Sequence, residues 1–354
     1  MKRSEHLTKK LKTITVSDKS VSSLLKAMEG TGFQGKKLAQ AVTLWERMVR
    51  DPSATIFMGY TGSLSTTGQW KMVTWLIEHH YIDVLVSTGA NISEDIVEAM
   101  GFSYWQGSHL ENDTKLFRDG LNRYYDVYGR EDDYLKMTEL IADFIVTLDE
   151  KYSYSSREFL HLFGLWLWKK GIKSIVADAA HEGVPIFCPA IADSPYGDAA
   201  LVAKSRGFTL SIDGMKDYME FMGMAPHVKD TGVVYVGGGV PKDFIQLFAV
   251  TGDLLFEDRK IPNRGKYLMR KGTDETYYPH KYAVQITTDS PQWGGLSGCT
   301  LEEAMSWGKI ADSENHLTCY CEATIALPII THALHERMRG KKRKGFNASR
   351  VFGQ

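Results

Sequence analysis

Short apolar runs rich in β-branched residues alternate along the chain with longer stretches in which apolar residues recur every three or four positions. The short runs, at residues 55–58, 83–86, 174–177, 185–188, 209–212, 233–236 and 283–287, lack the alternation of a half-solvated strand. They predict strands buried on both faces. The stretches 68–79 and 93–100 between them carry a helical period, as do 133–150 and 155–170, the latter two rich in aromatic residues that fit a core or a subunit contact. Strands alternating with helices predict an α/β fold, a doubly wound and mostly parallel sheet with helices on both faces.

Composition narrows the class. With 354 residues, 43% hydrophobic and 24% charged, the chain can bury a sizeable core. A formal charge of −1 gives no global bias toward nucleic acid or an anionic membrane, so neither is expected as a partner. The longest apolar run, 159–168, holds His161 and is too short to span a bilayer. The N-terminal charges lead into no apolar segment of a secretory signal, and a cytoplasmic protein is expected. Cys188, Cys299, Cys319 and Cys321 have no framework spacing, and the last two alternate as in an extended segment. No metal site is expected, because His79 and His80 are adjacent rather than four apart. The expected organisation is a flexible N-terminal tail (1–14), a single domain (15–338) and a basic C-terminal tail (339–354), solvated by virtue of its lysines and arginines.

Several proposed strands run into Gly, Ser, Thr or Asp, at Gly59, Ser87, Asp193, the triplet Gly237-Gly238-Gly239, and Thr287. Ligands of open α/β sheets bind at the carboxyl ends of strands, where backbone N–H groups and helix N-termini can meet a phosphate. A dinucleotide site is therefore plausible, although the chain is read as lacking the G-x-G-x-x-G fingerprint. Downstream, Gln292-Trp-Gly-Gly-Leu-Ser-Gly298 leads into Thr300-Leu-Glu-Glu-Ala-Met-Ser-Trp-Gly-Lys309. A lysine walled by a tryptophan suits an amine nucleophile that forms imines. The same residues also fit a capping box of Thr300 and Glu303, with Lys309 as a cation near a helix C-terminus.

The segment Glu303-Ala-Met-Ser-Trp-Gly-Lys309 resembles the active-site segment of the deoxyhypusine synthases. Further segments at 54–64, 82–89, 187–198 and 236–242 resemble the same family in its order, over about 15–335. The resemblance implies a Rossmann-like fold without the usual fingerprint. It also implies NAD as cofactor and a chemistry in which the butylamine group of spermidine passes through an imine on lysine to an acceptor amine. Residue by residue, it makes Lys309 the nucleophile and Trp307 a wall of the polyamine channel, and it has Glu303 and Asp198 bind amino groups. Gly294 and Gly295 flank the pocket. Cofactor contacts carry over to Gly62, Ser63, Thr66, Thr88, Gly89, Glu94, Asp193, Gly238, Thr288 and Glu322, the last in place of a usual Asp. Ordinary roles as turn and cap residues remain open for them.

Four positions depart from the eukaryotic pattern. Asp243 stands where a spermidine-binding histidine is usual, Leu296 and Trp293 where aspartates are usual, and Ser93 where a glutamate is usual. On this alignment Asp243 is a substrate-binding residue, and a changed anion pattern implies a changed amine set. The acceptor is then either a protein lysine or a small amine, putrescine giving homospermidine, or agmatine. An inactive NAD-binding paralogue serving as a partner subunit is the alternative, and an ordinary dehydrogenase a third. Family members are homotetramers with sites at a dimer interface, and the same assembly is expected. The long segment 251–279, rich in charge, Gly and Tyr, is expected to be a lid or an oligomer contact.

Overall fold

The computed structural model describes residues 9–265 and 267–353. Its central sheet comprises β1 (Ala54–Tyr60), β2 (Val84–Ser87), β3 (Ile186–Phe187), β4 (Asp230–Val236), β5 (Tyr282–Thr287) and β6 (His316–Tyr320). Their order across the sheet is β3-β2-β1-β4-β5-β6, and every adjacent pair is parallel. The chain thus builds outward from β1 to one edge, returns to the centre, and builds β4 to β6 toward the other. The direction of winding reverses between β1 and β4, which opens a crevice at their carboxyl ends.

Side-chain alternation divides this sheet between two cores. Ile56, Met58, Leu85, Val234 and Val236 join one core; Phe57, Val84, Val86, Val233 and Tyr235 join the other. Helices α1 (Phe33–Arg50), α2 (Trp70–Glu78), α4 (Ile175–Glu182) and α7 (Ala323–Met338) pack into the first core, which also takes α3 (Ser156–Lys169). Helices α5 (Gly239–Leu247) and α6 (Leu301–Ser306) cover the second. Helix α1 shows why it lies there. Its Leu38, Val42, Trp45 and Val49 recur at helical spacing and are buried along one stripe.

Some expectations need correction. Residues 174–177 do not form a strand: Ser174 caps α4, its Oγ accepting the N–H of Ala177 at 3.1 Å, and Gly183 closes the helix at φ +70°. A buried β-branched run reads the same in either structure, and here the cap residues decide. Of 209–212, only Ser211–Ile212 is extended, and it pairs with Ser153–Tyr154 outside the central sheet. The string G-x-G-x-x-G is in fact present, as Gly30-Thr-Gly-Phe-Gln-Gly35, contrary to expectation. It links the helix Val21–Met28 to α1 and follows no strand, so it lies outside the context that gives the motif its meaning. The helix 155–170 forms with Ser155 and Glu158 in a full capping box. The extended segment expected around Cys319 is β6.

Of the basic C-terminal residues, expected to be solvated, Arg339, Lys341, Lys342, Lys344 and Arg350 are exposed, whereas Arg343 is held against the body. Asp83, fully enclosed, accepts from Arg343 Nη1 at 2.8 Å and from the Phe346 N–H at 2.9 Å, so the buried carboxylate anchors the segment through one arginine. Of the expected N-terminal tail, residues 1–8 lie outside the described residues, while the Lys12 N–H donates to the Gly30 carbonyl at 2.8 Å. Among the described residues no helix is long and apolar enough to cross a membrane.

Candidate active site

Helix α6 starts at Thr300, whose Oγ1 accepts the N–H of Glu303 at 2.9 Å. The reciprocal arm of the capping box is not formed, and the Glu303 carboxylate faces a cavity instead. Trp307 closes the helix, and Gly308 turns the chain at φ +75°, a conformation that L side chains rarely adopt. A Cβ on Gly308 would sit 2.6 Å from the Tyr277 ring, so glycine is required for contact as well as for conformation. The next residue is Lys309. Its N–H donates to the Ala304 carbonyl at 3.1 Å, and its carbonyl accepts from His280 at 3.0 Å.

This arrangement aims Lys309 into a cavity of about 240 Å³ that it shares with Trp307, Glu303, Gly294, Gly295 and Leu296. Its Nζ lies 2.8 Å from Asp243 Oδ1 and 5.5 Å from the Trp307 ring centroid. Asp243 comes from the second turn of α5, four residues after the glycine triplet that follows β4. The structure therefore unites Lys309, Trp307, Glu303, Asp243, Gly294 and Gly295 in one place. Asp243 meets the lysine itself, whereas the sequence assigned it to a substrate cation.

Residues at or beside this cavity that were not foreseen include Gln246, Cys299 and Lys242. Gln246 and Cys299 line it, and burial pushes the Cys299 thiol up from its ordinary value. Lys242, fully enclosed, donates to Gln285 Oε1 at 3.1 Å, the Leu296 carbonyl at 3.2 Å and the Cys299 carbonyl at 2.5 Å. Burial lowers its pKa. It anchors the glycine-rich loop to β5. The signal was available, since a lysine three residues after a glycine triplet is already close to a strand end, but its target lies more than fifty positions away.

The residues expected to contact a cofactor lie at or near the carboxyl ends of the strands. Gly62, Ser63 and Thr66 follow β1, Thr88 and Gly89 follow β2, Gly238 follows β4, Thr288 follows β5, and Glu322 follows β6. Thr88 Oγ1 donates to the Gly62 carbonyl at 2.9 Å, and Thr66 Oγ1 to the Ser63 carbonyl at 2.9 Å. Ser63 Oγ donates to Glu94, a buried carboxyl whose pKa burial raises to about 7 against the opposing hydrogen bonds of Ser63 and Tyr124. Glu322 caps α7, accepting from the Thr324 and Ile325 N–H groups at 2.9 and 3.2 Å. Gly238 lies under the glycine-rich loop, where a Cβ would come within 2.3 Å of Ser297 Cα. Ser93, at the usual place of a glutamate, donates to the Gly89 carbonyl at 2.8 Å.

Asp198, expected to bind an amino group, does not line the Lys309 cavity, nor does Asp193, expected at the cofactor. Asp198 is exposed in the first turn of the helix Pro195–Ser205 and accepts from the Tyr134 hydroxyl at 3.0 Å. Asp193 is exposed in the turn between β3 and that helix. Segment 251–279 packs against the turn that carries Lys309: Tyr277 covers Gly308, and Arg270 Nη2 donates to the Ser306 carbonyl at 3.4 Å.

Known proteins share this chain's sequence and fold. The family model described as Deoxyhypusine synthase matches residues 23–334. A Methanosarcina mazei protein named "Probable deoxyhypusine synthase 2" is 45% identical over 332 residues, spanning 93% of this chain and 91% of that protein. A "Deoxyhypusine synthase-like protein" from Elusimicrobium minutum is 35% identical over 331 residues, 92% and 83% of the two chains. A crystal structure from Entamoeba histolytica under the deoxyhypusine synthase name superposes with a TM-score of 0.61 at 17% identity, covering 94% of this chain and 99% of that one, which bears on the fold alone. By its sequence, the chain belongs to the deoxyhypusine synthase family.

Proposed function

We propose that the protein is an NAD-dependent aminobutyl transferase, passing the butylamine group of spermidine through an imine on Lys309 to an acceptor amine. The observation that carries this reading is the cavity in which Lys309 meets Trp307, Glu303 and Asp243. A lysine nucleophile works as the free amine, and carboxylates beside it provide partners for the ammonium groups of a polyamine. Trp307 adds an aromatic face that attracts cations.

The strand order is that of dinucleotide-binding sheets, and the residues at the strand ends fit such a ligand. The Thr88, Ser63 and Thr288 hydroxyls with Glu94 supply partners for ribose hydroxyls; Gly238, whose own N–H donates to Thr61 Oγ1 at 3.2 Å, lets the backbone come close, and Gly239 at the N-terminus of α5 supplies a backbone N–H for phosphate. Gly62, Thr66, Gly89, Asp193 and Glu322 complete the proposed contacts. Bound there, NAD would accept and return hydride with no net oxidation. The proposed assembly is a homotetramer with sites at a dimer interface, which gives the exposed Asp198 a place as an amine ligand. The compartment is proposed to be the cytoplasm.

Leu296 in the cavity wall, where the eukaryotic pattern has a carboxylate, favours a small-amine acceptor such as putrescine or agmatine over a protein lysine. The test is incubation with NAD and spermidine, with putrescine, agmatine or no acceptor, followed by chromatography of the amines. Diaminopropane should be released together with a longer product amine, without a matching rise in NADH. Steady NADH accumulation would instead identify a dehydrogenase, and no turnover of any amine an inactive paralogue.

A further inference from the structure

The resemblance assigns Asp243 to the substrate, but the geometry assigns it to the nucleophile. Its Oδ1 lies 2.8 Å from Lys309 Nζ, a charge-assisted hydrogen bond, and among the described residues this is the ion pair that Lys309 makes. The neighbouring groups are otherwise engaged. Lys242, one residue earlier on α5, gives its protons to Gln285 and two loop carbonyls. Glu303 and Cys299 face the cavity from α6 and the glycine-rich loop. His280, behind the Lys309 backbone, has both ring nitrogens hydrogen-bonded, to Thr231 and to the Ile245 carbonyl. The Lys309 side chain is 13% exposed and that of Asp243 39%, so the carboxylate has one oxygen on the lysine and an open side toward solvent and the cavity.

We propose that Asp243 is the proton acceptor of Lys309, taking a proton from its ammonium so that the amine can attack and returning it to the amine that leaves. The assignment rests on the transfer reading above for its second half. In that reaction the neutral Lys309 amine adds to the carbon of the oxidised donor's C=N bond. The new carbon–nitrogen bond forms on Nζ and the bond to diaminopropane breaks. The proton held by Asp243 goes to that departing amine, which leaves as an ammonium and restores the carboxylate. Hydride transfer is separate, with NAD as the oxidant, and protons balance within the exchange step.

The test uses full-length Asp243→Asn and Asp243→Glu proteins. First, Lys309 is labelled by trinitrobenzenesulfonate without substrate or cofactor, and the modified peptide is quantified from pH 7 to 10. The carboxylate holds Nζ in a 2.8 Å hydrogen bond, so Asp243→Asn should free the amine and label severalfold faster at pH 8, while other lysines label as in the wild type. Second, attachment of the spermidine fragment is trapped with borohydride. Despite its more available amine, Asp243→Asn should attach it roughly 10²-fold or more slowly, the usual effect of losing a general acid or base, and Asp243→Glu should recover part of the rate. Unchanged Lys309 labelling, or a raised KM with kcat retained, would overturn the proposal and return Asp243 to substrate binding. Wild-type protein that attaches nothing would overturn the transfer reading instead, and the labelling arm would still decide whether the carboxylate governs the amine.

Discussion

His280, whose backbone N–H donates to the Lys309 carbonyl, makes stability depend on pH in the acid range. The ring is fully enclosed, with Nδ1 2.7 Å from Thr231 Oγ1 and Nε2 3.2 Å from the Ile245 carbonyl. Because a carbonyl only accepts, Nε2 carries the proton and Nδ1 accepts from the threonine hydroxyl, which assigns the neutral tautomer from the network. Burial, with the Arg264 charge nearby, lowers the pKa from 6.5 to about 3. The folded value lies below the unfolded one, so between them the unfolded chain binds a proton that the folded chain does not. His280 therefore contributes stability that is present above pH 6.5 and lost as pH falls toward 3. Each pH unit in that window is worth about 1.4 kcal/mol, so roughly 2 kcal/mol should be lost by pH 5. Buried carboxyls oppose this trend. Glu94 and Asp95 are raised to about 7 and Asp178 and Asp217 to about 6, so their burial penalty is relieved as pH falls. A comparison with His280→Gln isolates the histidine. Urea unfolding at pH 7 and pH 5, followed by tryptophan fluorescence, should show His280→Gln less stable at pH 7 by about 1–3 kcal/mol for the imperfectly replaced hydrogen bonds. Its loss between the two pH values should be about 2 kcal/mol smaller than that of the wild type. Equal losses in both proteins would refute the assignment of a neutral, proton-resisting His280.

Lys309→Arg should abolish borohydride-trappable attachment of the spermidine fragment while leaving NAD binding by calorimetry unchanged, because arginine stays charged and forms no imine; label on another lysine would refute this. Lys242→Met removes the donor shared by Gln285, Leu296 and Cys299. It should cost about 1–3 kcal/mol in urea unfolding and weaken polyamine binding measured by calorimetry; wild-type affinity would show that the loop holds its position without it. Gly308→Ala should lose about 1–3 kcal/mol for a strained φ and lower kcat more than NAD affinity, since the added Cβ meets Tyr277 beside Lys309; a fully active variant would show that the turn can yield.

Local periodicity and termini determined much of this protein before its structure was known. The runs at 55–58, 83–86, 185–188, 233–236 and 283–287 all lie in or overlap strands of the central sheet, because a strand covered on both faces must be apolar at successive positions. The lysine after Trp307 and Gly308 was equally legible, since one helical turn and one glycine place it. Tertiary packing decided the rest. Residues 174–177 satisfy both a strand and a helix, and Ser174 resolves the choice only in the folded context of α4. Asp243 and Lys309 are sixty-six positions apart, and their 2.8 Å contact arises because α5 and α6 pack in the same core on one face of the sheet. The same packing sends Lys242, whose neighbour in sequence meets Lys309, inward to loop carbonyls instead. Asp198 does not line the Lys309 cavity within this chain's fold. Spacing along the chain sets which face a residue takes on its own element, whereas which elements meet across the sheet depends on how much apolar surface their packing removes from water.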